Sequence, residues 1–97
     1  MREVIISFAL WSKIEEIKDY LVFELKLPET AAEARIKRME DFVASLSNPV
    51  DYALCRFKRW QTLGYRCATF ENWVFAYEIF DSGVIVQDKA HGATLIE

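Results

Sequence analysis

Apolar and polar positions alternate along this chain with two different periods. Glu3 to Phe8, EVIISF, is a β-branched run ending in an aromatic, which predicts a strand. After it the period becomes helical. Ser12 with Glu15 forms a capping pair, and Trp11, Ile14, Ile17 and Leu21 recur at helical spacing until Pro28 closes the element after VFELKL. Thr30 with Glu33 opens a second helix, whose stripe is Ala32, Ile36, Met39, Val43 and Leu46 and which ends at SLSNP, Ser45 to Pro49. A short turn at Pro28 makes the pair an antiparallel hairpin, and the outer-face charges Lys13, Glu16, Lys37 and Glu40 read as solvation. Beyond Pro49 the pattern turns extended. Gly64 to Phe70, Trp73 to Phe80 and Gly83 to Ala90 are separated by the turns EN and DSG, which predicts a three-strand meander.

The expected order is strand, helix, helix and three strands, an α+β domain with the hairpin on one face of a roughly four-stranded, mainly antiparallel sheet. Residues 1–97 form a single domain, because the one linker-like stretch, Ser45 to Leu54, is too short to separate two. Two helices cover only one sheet face. In the third strand Trp73, Phe75, Tyr77 and Ile79 lie on one side and Val74, Ala76, Glu78 and Phe80 on the other, so both sides carry apolar bulk. That predicts a groove or protein interface on the second face, unless strong sheet curvature buries it.

At 53% hydrophobic and 14% aromatic, the chain is rich enough in apolar side chains to fill one core. Every apolar stretch is broken by charge well short of the roughly 18 residues a membrane span needs, so no membrane partner is expected. Met1 leads into a strand pattern and not a signal segment, which points to the cytoplasm. Cys55 and Cys67 could pair, but in such a compartment they are expected as reduced, structural thiols. No metal-ligand spacing accompanies them, and neither a metal nor a cofactor is expected.

The net charge of −3 conceals a division. Tyr52 to Phe70 carries Arg56, Lys58, Arg59 and Arg66 with no acid, whereas Glu71 to Glu97 has five acids against Lys89 alone. Such asymmetry signals a partner, or a solvated edge. The only histidine, His91, lies in AHGATLIE, where a strand runs out. It could be a catalytic group or a satisfied surface imidazole.

Taken in order, GYRCATFENWVFAYEIFDSGVIVQDKAHG resembles the C-terminal half of toxins of the RelE/ParE superfamily, the plasmid stabilisation proteins of type II toxin–antitoxin systems. The carrying features are the Tyr65-Arg66 strand, the aromatic Val74 to Ile79 strand, the acidic turn at Asp81 and the terminal His91-Gly92. The opening strand, the helix pair and the length agree with the family as well. The resemblance implies a growth-inhibiting toxin neutralised by a cognate antitoxin protein. RelE-like members cut mRNA on the ribosome and ParE-like members poison DNA gyrase, while a homodimer is an allowed state of either kind.

Metal-free RNA cleavage needs a base for the 2′-hydroxyl, cations for the crowded phosphorane and an acid for the leaving oxygen. By resemblance, Arg66 falls on a basic position and His91 on the terminal histidine, which makes them the candidate catalytic pair. The arginine of the next strand is replaced by Val74, and Ala93, Thr94 and Leu95 stand where basic residues often follow His-Gly. Tyr77 matches a packing position. Arg56, Lys58, Arg59 and Trp73 are the candidate antitoxin or nucleic-acid contacts. A gyrase-type or weakened nuclease toxin is therefore expected over a competent ribosome-dependent endoribonuclease, with a non-toxic interaction protein as the other class. Arg66 and His91 are expected on one concave surface, too far apart for a hydrogen bond.

Overall fold

The computed structural model describes residues 2–49 and 51–91. The first strand, β1, is Glu3–Ile6, and helix α1 runs Phe8–Asp19 before a π-helical turn at Tyr20–Glu24. Helix α2 is Glu29–Ala44, tightening into a 3-10 turn at Ser45–Ser47. A short helix, α3, follows at Lys58–Thr62, and the meander is β2 (Arg66–Phe70), β3 (Trp73–Phe80) and β4 (Gly83–His91). The architecture is α+β, an open four-stranded mixed sheet in the order β1-β4-β3-β2. The β1–β4 pair is parallel and the other pairs are antiparallel.

Helix α1 starts earlier than the Ser12 reading. Ser7 is the cap: its backbone is extended, and its hydroxyl accepts from the Leu10 amide at 3.1 Å while donating to the Gln87 carbonyl at 2.8 Å. That start brings Leu10, fully buried, into the stripe with Ile14, Ile17 and Leu21. Trp11, about 100° further round the helix, stays 44% exposed. The second stripe is as expected, with Ala32, Ile36, Met39, Val43 and Leu46 all buried. At the start of α2, Pro28 occupies the cap position without any side-chain cap bond, so Thr30 is already inside the first turn. Against these stripes the sheet presents Ala68, Phe75, Tyr77, Val84 and Val86.

The second face of the sheet corrects the groove expectation. It is filled by the protein's own chain: the stretch 51–65 lies across it, with Cys55 1% and Trp60 3% exposed against Ala76. Phe57, Cys67, Val74 and Ala90 complete this smaller core. Two hydrogen bonds, which together make one isolated β-bridge, seat the stretch. The Cys55 amide donates to the Tyr65 carbonyl and the Cys67 amide donates to the Ala53 carbonyl, so that Leu54 bridges Arg66 as an isolated β-pair. These pairings hold the two cysteine Cα atoms 4.9 Å apart, and Cys55 and Cys67 are joined as a disulfide, not kept as separate thiols. At the start of the stretch Tyr77 Oη donates to Asp51 and accepts from the Tyr52 amide, while Arg2 holds Asp51 at 2.6 Å. The stretch read as a linker is thus a second covering layer. Among the described residues no helix is long and apolar enough to cross a membrane.

Candidate functional site

One end of the sheet carries the rung Phe70, Trp73 and His91, set by the β2–β3 and β3–β4 registers. Residues two apart on a strand share a face, so Lys89 and His91 both point to the helix side, where Trp73 also lies. The tight Glu71-Asn72 turn, with Glu71 at φ 55°, brings β3 back directly under the hairpin. On the facing side, the π-helical turn and the loop to Pro28 carry Tyr20 and Leu25 over the same end. Between them opens a cleft of about 650 Å³. Its apolar wall includes Ile17, Leu21, Ile36, Met39 and Phe70, and its charged rim is Lys13, Glu16, Arg35 and Glu71.

Lys89 is the unusual member. It is 7% exposed, and its Nζ lies 4.4 Å from the Trp73 ring centroid, a cation–π geometry. Among the described residues no carboxylate stands within 4.0 Å of that ammonium. Desolvation by burial pulls the Lys89 pKa below its ordinary value and the nearby Lys13 adds to the drop, while Asp88 and Glu16 oppose it without reversing it. His91 meets the same tryptophan edge to face, ring centroids 5.4 Å apart. Asp88 is already engaged by Lys13 from α1 and, at 3.9 Å, by Arg59 from α3. It clasps the two layers around the part of β4 that β1 does not reach.

The candidate residues do not converge. Arg66 opens β2 on the rung of Tyr77 and Val86, midway along β3 and β4 and not on the His91 rung, and its Nη1 donates to the Tyr52 carbonyl at 2.7 Å. Four residues of strand separate the two rungs, about 13 Å along the sheet. Arg66 does not line the His91 cleft. Arg56, Lys58 and Arg59 belong to the stretch on the second face. Arg56 lines a shallower cleft there with Thr69 and Val74, and Lys58 opens α3 in solvent. Of the six candidates only Trp73 and His91 share a site.

Lys13, Arg35 and Lys89 were missed as cations beside His91. Lys89 was legible, because its i, i+2 spacing to His91 on a strand fixes a common face. Lys13 and Glu16 were not, since they look like ordinary outer-face charges until the hairpin is docked. Among the described residues no group of three or more His, Cys, Asp or Glu is placed to hold a metal ion. The chemistry on offer is a buried cation on an aromatic floor, an imidazole at the edge and an apolar wall. No protein-family model matches the chain, and no curated protein matches it either.

Proposed function

We propose that this chain is a toxin-type protein of the RelE/ParE kind, neutralised by a cognate antitoxin protein and acting by binding a target such as gyrase, not by competent RNA cleavage. The strand, helix-pair and meander order, carrying the aromatic third strand and the terminal His91-Gly92, supports the family reading. The observation that carries the mechanism is the separation of Arg66, on a mid-sheet rung, from His91 at the end of the sheet. Phosphoryl transfer needs cations at the reacting phosphate, and loss of one such donor costs about a hundredfold or more.

With the second face filled, the surface left for an antitoxin is on the helix side. Phe8 is 85% and Phe23 71% exposed, with Tyr20 and Leu25 beside the cleft. A cytoplasmic site of action belongs to the same reading. In that reducing compartment the Cys55–Cys67 bridge would open, so the active form is expected to carry both thiols free.

One observation favours a second reading. His91 has Lys13, Arg35 and Lys89 around its own cleft, a different set of cations from the expected one, and an endoribonuclease could use them. Induction in a bacterial host, alone and with the adjacent reading frame, tests the module. Growth arrest relieved by co-expression is expected; no arrest leaves a non-toxic interaction protein. Purified protein added to gyrase with supercoiled plasmid, and separately to programmed ribosomes, then separates the mechanisms. Codon-dependent mRNA cuts that His91→Ala abolishes would replace the binding mechanism with the nuclease.

A further inference from the structure

Buried lysines are almost always paired, because an ammonium withdrawn from water without a counter-charge is costly. Lys89 departs from that rule: it is only 7% exposed, lines an open cleft, and has no carboxylate in contact among the described residues, only the Trp73 face and the more distant fields of Asp88 and Glu16. The carboxylate beside it in sequence, Asp88, is spoken for by Lys13 and Arg59. The cleft's volume, about 650 Å³, falls within the span typical of small-ligand sites. Its walls are dominated by Ile17, Leu21, Ile36, Met39 and Phe70.

We infer that this cleft binds a small amphipathic monocarboxylate, of the medium-chain or aryl-alkanoic acid class, with its carboxylate on Lys89 and its apolar body along the Ile36 and Phe70 wall. One buried ammonium matches one carboxylate. Glu16 and Glu71 at the rim oppose a second negative charge, which disfavours phosphates and dicarboxylates. The wall in turn requires a tail, which disfavours acetate-sized anions. Trp73 serves as a floor for the head group, through the cation it already carries and the flat face around it. Burial presses the Lys89 ammonium toward its neutral form, and a bound carboxylate restores the preference for charge. The site is independent of whether the protein is a toxin.

Octanoate is the probe, and octanol, with the same tail and no charge, is the control. Titrated into the full chain and followed by calorimetry, octanoate is expected to bind one-to-one and saturably. In parallel NMR spectra it should shift the indole N–H of Trp73 more than those of Trp11 and Trp60. Octanol should bind at least about tenfold more weakly, and Lys89→Met, which keeps the apolar stem and removes the charge, should weaken octanoate by at least about tenfold. The inference is overturned if octanol matches octanoate, if Lys89→Met binds octanoate unchanged, or if neither octanoate nor phenylbutyrate binds more tightly than about 1 mM. An acidic peptide that binds the cleft when octanoate does not would overturn it too. Should Lys89→Met not fold, the octanoate and octanol comparison on the native chain decides alone.

Discussion

Gly83 opens β4 directly opposite Glu3, and a Cβ built on it would stand 2.0 Å from the Glu3 carbonyl oxygen and within 2.8 Å of its amide nitrogen. The obstacle is backbone on both counts, so no rotamer change relieves it. Only a glycine lets β1 lie in parallel register beside β4, and the parallel pair is what ties the N-terminus to the meander. Gly83→Ala is therefore expected to destabilise the fold by about 1–3 kcal/mol, the usual cost of forcing extra volume into a packed site. Urea unfolding of the two proteins measures it. An unchanged midpoint would mean that β1 does not sit where this register puts it. By contrast, Gly64 at φ 76° meets nothing within 4 Å, so its role is conformational and its substitution acts through backbone strain.

At the scale of elements, both helical stripes and all three meander strands could be read from periodicity, because each element packs on one surface and its period records that. The start of α1 could not. Ser7 and Ser12 are both good caps by residue type, and only the bond from Ser7 to the Gln87 carbonyl, 80 residues away, selects the first. The layer over the second face was also illegible, because the stretch 51–65 has little regular structure beyond the short α3 and so prints no period. The apolar second side of β3 did announce a cover; it did not say whose. The candidate site was half legible: Trp73 and His91 follow from strand alternation, whereas the helix cations depend on the docking of the hairpin. What anchors the covering stretch is Asp51, whose carboxyl is held below its ordinary range of about 3.8, first by the hydrogen bond from Arg2. The sign follows from that depression. The unfolded state takes up the proton more readily, so the stability Asp51 contributes is present above about pH 4 and lost as pH falls through the lower folded-state value. The native protein is expected to lose more stability than Asp51→Asn between neutral pH and about pH 2, by a margin that solvent screening of this exposed pair keeps small. Thermal unfolding across that range checks this, and parallel curves for the two proteins would remove Asp51 as an anchor.

For the whole molecule, the sheet divides two cores of unequal size. The helix side buries Leu10, Ile14, Met39, Val43, Phe75 and their neighbours, while the second face rests on Cys55, Trp60 and Ala76. Regions with few buried contacts open at lower free energy than the global transition, so the covering stretch should be the first unit to leave. The disulfide opposes that opening by closing a loop of sequence separation 12, a constraint worth about 3 kcal/mol on the chain-entropy model. Asp88 adds a second tie, since it pairs with α1 on one side and α3 on the other. Reduction removes the first tie and leaves the hairpin core untouched. Native-state hydrogen exchange under reducing conditions is therefore expected to speed the Cys55 and Cys67 amides, which close the stretch on itself and onto β2, far more than the β3 amides of Phe75 and Tyr77 in the larger core. In the oxidised protein the two sets should lie closer together. The physical consequence is specific: opening the bridge would expose Val74, Ala76 and Ala90, turning the filled second face into an apolar surface without unfolding the sheet. Equal acceleration of both sets on reduction would mean that the two layers unfold as one unit, and the second face would then have no separate open state.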